Sequence, residues 1–256
     1  MIEVRGLTFS HNGSQETVLR EIDFFARGGE VTAVLGPNGS GKTTLFQCLL
    51  GIWKFQKGDV LFEGESVKHL KRVEIARRIS SVPQEHEPPF PYTCFDIVLM
   101  GRTAHVGVFS SPGDKDSELA HKAMETLGIR HLASRPYTRV SGGERQMVLV
   151  ARCLAQNAPV MLLDEPSAHL DFRNQNLILA KMKQIVRERG LTVIMNLHDP
   201  NMALMFSDQV LLLKQGRLIA RGTPDAAITR KNLWDVYGLE VEFLTGSGLR
   251  MICPRI

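Results

Sequence analysis

Cysteine is scarce in this chain. Of 256 residues only four are cysteine, and Cys48, Cys94, Cys153 and Cys253 lie far apart. None forms a C-x-x-C pair, so neither a zinc site nor a disulfide framework is indicated. Long apolar runs are also missing: none approaches the roughly 18–20 residues that a membrane helix needs. The opening Met1-Ile2-Glu3-Val4-Arg5 has neither the basic n-region nor the apolar h-region of a secretion signal, so a cytosolic protein is expected. There is no basic run of the kind that tracks nucleic acid, and the net charge of +4 is mild. A nucleic-acid partner is therefore not expected. Internal repeats and low-complexity segments are absent too. What remains is ordinary globular composition, 43% hydrophobic and 23% charged. The length suits one large domain, or a domain with a sub-domain, with ample chain for a core.

Against this plain background one stretch stands out. Gly36-Pro37-Asn38-Gly39-Ser40-Gly41-Lys42-Thr43-Thr44 has the form G-x-x-x-x-G-K-[ST]. Its glycines let successive N–H groups curl around one anion. Lys42 can neutralise β/γ-phosphate charge, and the Thr43 hydroxyl can bind Mg²⁺. The flanks agree with this reading. Glu30 to Leu35 is a β-branched, apolar run with the character of a buried strand. Thr44 to Leu50 has helical character and stops at Gly51. Strand, glycine loop and helix N-terminus form the setting in which free N–H groups and the helix dipole favour a phosphate.

The rest of the chain alternates strand and helix. Strands are expected at Ile2 to Leu7 and Val18 to Phe25, with a turn at His11-Asn12-Gly13-Ser14. A further short strand falls at 58–64, and residues 68–80 read as a basic helix running into a strand that ends at Gln84. Glu85 to Pro91 holds three prolines and cannot be regular helix. From Phe95 to about Leu154 the pattern is helical, broken at 107–113 and 135–143. The apolar run Val160 to Leu163 reads as a buried parallel strand, followed by a helix over roughly 171–189 and another buried strand over 191–196. A hairpin around Gln215-Gly216, two short helices and a small strand pair around 246–248 complete the chain. This order predicts an α/β fold with a parallel sheet.

Several residues can add chemistry to the phosphate loop. Asp164 and Glu165 follow a buried strand, and the C-terminal edge of such strands is where α/β sheets bind ligands. Asp164 can hold Mg²⁺ through water, and Glu165 can take a proton from water attacking a γ-phosphorus; alternatively, both are solvated carboxylates. His198 ends the next buried strand and can bridge Glu165, water and γ-phosphate, or be an ordinary surface or core histidine. Gln84 can orient water or touch Mg²⁺. Ser141-Gly142-Gly143-Glu144 opens an apolar helix as a capping box, which is also the form of an anion-binding helix N-terminus.

Taken together, Gly36–Thr44, Gln84, Ser141–Gln146, Val160–Glu165, Ser167–Asp171 and His198 resemble the nucleotide-binding subunit of an ABC transporter over essentially the whole chain. The resemblance implies a P-loop NTPase (RecA-like) core with an antiparallel β subdomain and an inserted α-helical subdomain. It implies one nucleotide-binding domain over 1–256, with 1–84 and 156–256 as the core and 85–155 as the helical subdomain. It implies ATP and Mg²⁺ as cofactors, and a head-to-tail homodimer in which Ser141, Gly142 and Gly143 of one copy cover the ATP held by the other's phosphate loop. By position, Lys42, Thr43 and Thr44 bind phosphate and Mg²⁺, Gln84 is the mobile glutamine, Asp164 the magnesium-side carboxylate, Glu165 the base and His198 the switch. Asp171 belongs to the loop crossing the dimer interface. His11 stands where the family usually stacks a tyrosine on adenine; it is either a weaker stacking group or a plain turn residue. Val140 replaces a common leucine.

The stretch Phe95 to Arg102, with Pro91 before it and Phe109-Ser110-Ser111-Pro112 after it, is similar to importers of iron–siderophore, haem, cobalamin and molybdate. That implies two integral-membrane permease subunits, an extracytoplasmic substrate-binding protein, and a peripheral position on the cytoplasmic face of the membrane. Three rival functions compete: a non-transport ATPase of DNA repair or translation, an export or lipoprotein-extraction ATPase, and a pure interaction module with a dead site, the last disfavoured because no chemical group is missing. The first is disfavoured by the single set of motifs and the lack of a heptad run between Lys42 and Ser141. Pro91 to Arg102 speaks against the second.

Overall fold

The computed structural model describes residues 1–11, 16–83, 90–107, 109–167, 170–246 and 248–255. The chain divides into two compact units, Met1–Leu70 with Lys183–Ile256, and Lys71–Met182.

The first unit begins with β1 (Ile2–Ser10), β2 (Thr17–Ala26), β3 (Val31–Leu35), α1 (Lys42–Leu49), β4 (Lys57–Phe62) and β5 (Glu65–Ser66). Strand β1 is longer than its sequence pattern suggests. Ile2 and Val4 are buried at even positions and Leu7 and Phe9 at odd ones. A register shift between Val4 and Leu7 reconciles the two sets. Gly6 supplies the bulge at φ 53°, and its N–H donates to Asp23 at 2.8 Å. One extra residue thus keeps a single face on the core across the change of parity.

The second unit holds α2 (Arg72–Arg78), β6 (Ile79–Val82), α3 (Cys94–Leu99), α4 (Asp114–Thr126), α5 (Gly142–Gln156) and β7 (Val160–Asp164). Helix α6 (Phe172–Arg189) follows, and its chain leads back to the first unit. The expected helix over 68–80 is shorter at both ends. The Lys71 N–H donates to the Glu74 carboxylate at 2.7 Å, which sets the start, and Ile79 is already extended. Strand β6 stops at Val82, before Pro83; Gln84 lies outside the described residues. Strands β6 and β7 pair in parallel from Ile79↔Val160 to Val82↔Leu163. Helices α3, α4 and α5 pack on one another. Their core includes Ile97, Val98, Met124, Leu132, Val148 and Leu149. Buried Arg102 is held among them, donating to Asp116 at 2.9 Å and to the Ala155 carbonyl at 2.8 Å.

The chain then completes the first unit with β8 (Thr192–Asn196), α7 (Pro200–Phe206), β9 (Gln209–Lys214), β10 (Arg217–Gly222), α8 (Pro224–Ala227), α9 (Arg230–Tyr237), β11 (Val241–Gly246) and β12 (Leu249–Pro254). This unit has a four-stranded antiparallel sheet in the order β2-β1-β4-β5, the run β10-β9-β3-β8, and the hairpin β11-β12. Strand β3 is parallel to both β8 and β9, and all five of its residues are buried. Side chains buried on both faces explain why β3, β8 and β9 read as unbroken apolar runs. Asp208 ties the start of β3 in place: it accepts from the Val31 N–H at 2.9 Å and pairs with Arg187 and Lys183.

Candidate functional site

The loop after β3 is built as its sequence predicts. Gly36, Gly39 and Gly41 have φ of 156°, 76° and 103°. Space constrains it as well as conformation. A Cβ on Gly36 would lie 2.3 Å from the Leu213 carbonyl and 2.7 Å from the Ser40 hydroxyl. Below the loop runs the β9–β10 turn. The Gly216 N–H donates to the Ser40 carbonyl at 3.0 Å, and the Arg20 N–H to the Gly216 carbonyl at 2.8 Å. The loop is therefore pinned through one turn to strand β2.

Helix α1 starts at Lys42, with Gly41 as its left-handed N-cap and no side-chain cap on its free N–H groups. The Lys42 ammonium folds back onto the carbonyls of Gly36 at 2.8 Å and Pro37 at 3.2 Å. It is 6% exposed, so the cation is held inside the loop's curl. The Ser40 hydroxyl is buried and has no hydrogen-bond partner. A buried hydroxyl without a partner costs stability unless something else satisfies it. Uncapped N–H groups, an inward cation and this hydroxyl together fit a polyphosphate. Thr43 is exposed in the first turn and Thr44 is buried.

His198 belongs to the same unit. Strand β8 runs beside β3 with Val34↔Asn196 in register, and the Leu197 N–H donates to the Val34 carbonyl at 3.1 Å. His198 thus leaves its strand close to where the phosphate loop leaves β3, and its ring is exposed. His11 sits in an aromatic group with Phe9 and Trp53. Its ring is edge-on to Trp53 at 4.8 Å and to Phe9 at 5.0 Å, while Phe9 stacks on Trp53 at 5.4 Å. Nothing in the local sequence around His11 points to Trp53, which comes from the segment after α1.

The second unit carries the carboxylates and the glycine-rich helix start. Asp164 ends β7 and is 7% exposed. Glu165 follows with φ 53°, a left-handed conformation unusual for a non-glycine residue. Ser141 caps α5: its hydroxyl accepts from the Glu144 N–H at 3.3 Å, and its N–H donates to the Glu144 carboxylate at 2.8 Å. The Ser141 N–H and then its hydroxyl hold the Glu144 carboxyl below the usual glutamate range. Gly142, exposed, and Gly143, half-buried, begin the first turn.

Asp171 lies before α6, accepting from the Asn174 N–H at 2.7 Å and side-chain amide at 3.0 Å. The same Asn174 lies against Gly143, where an added Cβ would meet its amide nitrogen at 3.2 Å. Asp171, Asn174 and Gly143 are therefore brought together. The sequence held a clue to Asn174 in the Asp-x-x-Asn spacing of a helix cap, but not to its contact with Gly143.

Comparison with known proteins gives the family. The sequence profile of the ABC transporter family matches residues 19–168. The chain belongs to this family, and is an ATPase that binds ATP. More particularly, it is 36% identical over 243 residues to the probable iron chelatin transport ATP-binding protein of Helicobacter pylori strain 26695, covering 94% of each chain. It is 36% identical over 258 residues to the hemin import ATP-binding protein of Nocardia farcinica, covering 99% of this chain and 88% of that one. Among solved structures, the inward-facing conformation of a putative metal-chelate type ABC transporter superposes with a TM-score of 0.88 at 30% identity, over 100% of this chain and 97% of that one. The expected P-loop NTPase fold stands.

Proposed function

We propose that this chain is the ATP-hydrolysing subunit of an importer that carries an iron chelate or haem across the cytoplasmic membrane. The observation that carries the proposal is the likeness to iron-chelate and hemin import subunits along nearly the full length of the chain. In this reading two copies pair head to tail and dock peripherally on two permease subunits, with cargo delivered by an extracytoplasmic binding protein. No described helix is long and apolar enough to cross a membrane. That supports a role for separate permease subunits in providing the path.

The roles follow from the groups present. Lys42, now resting on the Gly36 and Pro37 carbonyls, turns its charge to the β/γ-phosphates. The Ser40 hydroxyl and the loop N–H groups take the remaining phosphate oxygens. A magnesium ion held by the Thr43 hydroxyl and Asp164, with Gln84, would neutralise charge on the γ-phosphoryl group. Glu165 takes the proton of the attacking water as oxygen bonds to the γ-phosphorus. The bond to the bridging oxygen breaks, giving ADP and phosphate. His198 orients that water and the γ-phosphate. Ser141, Gly142 and Gly143 offer a capped helix N-terminus to the nucleotide of the other copy, with Asp171 in the crossing loop. His11 supplies a ring for adenine.

The test is Glu165→Gln in the assembled transporter. Hydrolysis should fall by about 100-fold or more, the scale of a lost general base, while ATP stays bound. Turnover near the wild-type rate would overturn the assignment of the base.

A further inference from the structure

The helix that starts at the phosphate loop delivers, at its far end, the segment that holds the end of strand β1. Leaving α1, the chain turns at Gly51 with φ 65°. The Gln47 carbonyl then accepts from the N–H groups of Ile52 at 3.0 Å and Trp53 at 3.2 Å. The Trp53 backbone is thereby fixed to the last turn of α1. Three residues on, Gln56 clamps β1. Its backbone N–H donates to the Thr8 carbonyl at 3.1 Å. Its side-chain amide donates to the Ser10 carbonyl at 2.8 Å and accepts from the Ser10 N–H at 2.8 Å. One side chain thus satisfies both backbone groups of Ser10, as a neighbouring strand would. The next residue is His11.

The same segment holds the His11 ring. Trp53 lies nearly parallel to buried Phe9, at an interplanar angle of 10°. The imidazole meets Trp53 at 75° and Phe9 at 84°. Edge-to-face pairs of this kind are favourable and directional. His11 is exposed, so its rotamer depends on these two rings, and Trp53 is the nearer. The group also lies beside the phosphate loop. Phe9 pairs with Leu19 across β1 and β2, and Ser10 with Thr17. A Cβ on Gly41, the N-cap of α1, would come within 2.9 Å of the Leu19 Cδ2 methyl. The ring group is therefore one strand removed from the cap of α1, a spacing of about 5 Å.

We infer that Trp53 is a positioning residue for the base of the nucleotide: it holds the His11 ring in one orientation, so that adenine meets a platform already in place. Immobilising an exposed side chain on binding is costly, and a ring ordered beforehand avoids that cost. Helix α1 then serves both ends of one ligand, offering N–H groups to phosphate at its start and anchoring Trp53 at its finish. This role rests on His11 being the ring that stacks on adenine.

The test is calorimetric binding of ADP and of pyrophosphate to the full-length chain. Pyrophosphate needs the phosphate loop alone, whereas ADP also needs the base platform. In Trp53→Leu the Kd for ADP should rise about fivefold, the scale of one aromatic pair, while the Kd for pyrophosphate holds. Trp53→Phe, which keeps a ring, should restore ADP binding to within about twofold on the same scale. In a chain already carrying His11→Ala, Trp53→Leu should add no further loss, because the two act as one unit. An unchanged Kd for ADP in Trp53→Leu would overturn the inference. So would an equal rise for pyrophosphate, which would assign the effect to packing, or an additive loss in the double variant, which would place Trp53 on the base itself. Fluorescence gives a second reading with Trp53 intact. The chain has two tryptophans, and Trp234 is exposed. With Trp234→Phe, ADP should shift the Trp53 emission and pyrophosphate should not; an emission unmoved by ADP would count against the inference. If His11→Ala bound ADP as well as the wild type, the platform assignment would fall, and the role of Trp53 with it. A wild-type chain that bound neither ligand would overturn the ATPase reading itself.

Discussion

Glu165 adopts φ 53° immediately after a strand whose five residues are all buried. A left-handed non-glycine residue costs on the order of 1 kcal/mol or more, and such strain collects where function needs a side chain aimed. Glu165→Gly should therefore raise stability by about 1 kcal/mol while abolishing hydrolysis. Denaturant melting and an ATPase assay on the same sample check both signs. The cysteines give a second residue-scale prediction. Burial pushes Cys48 up to about 12 and Cys153 up to about 11, and raises Cys94 as well. A thiol reacts as its thiolate, so these three should resist a maleimide at neutral pH. Half-buried Cys253 should label first. Mass spectrometry should count one fast site in the native chain and four after unfolding.

Two small elements carry the next level. The α5 cap joins Ser141 and Glu144 reciprocally. Because the folded Glu144 carboxyl lies below its ordinary range, its stabilisation is present above the unfolded value. It is lost as pH falls through the lowered folded value. Melting temperatures taken from neutral to acid pH should therefore fall less steeply for Glu144→Gln than for the wild type. The β9–β10 turn is the second element. A Cβ on Gly216 would lie 2.0 Å from the Val18 carbonyl, and φ there is 74°. Gly216→Ala should destabilise by about 1–3 kcal/mol and weaken ADP binding, because the Gly216 N–H supports Ser40.

At this level the sequence was an uneven guide. The phosphate loop, its strand and its helix were legible because glycine spacing and apolar runs are local signals. The full length of β1 was not, since a bulge at Gly6 swaps the parity of the buried positions. The start of α2 is not legible, because one carboxylate, Glu74, sets it by accepting from the Lys71 N–H.

For the whole molecule, the motif residues fall in both compact units: Gly36–Thr44 and His198 in one, Ser141–Gly143, Asp164, Glu165 and Asp171 in the other. Each motif was readable because it has its own local grammar of strand end, glycine loop or cap. The residues that local sequence does not reveal, Trp53 and Asn174, act through contacts distant in sequence or between unlike elements. No periodicity records such contacts. This chain's motifs do not name one cargo: Phe95 to Arg102 resembles importers of iron–siderophore, haem, cobalamin and molybdate, and the likeness to relatives narrows the reading to iron chelate or haem.

Uptake of labelled ferric chelate and haem therefore tests the account most directly, in cells whose only copy of this chain carries Glu165→Gln. The account predicts that uptake of at least one of the two stops while the altered subunit remains in the membrane fraction with its permease. Uptake of both at the wild-type rate would contradict it.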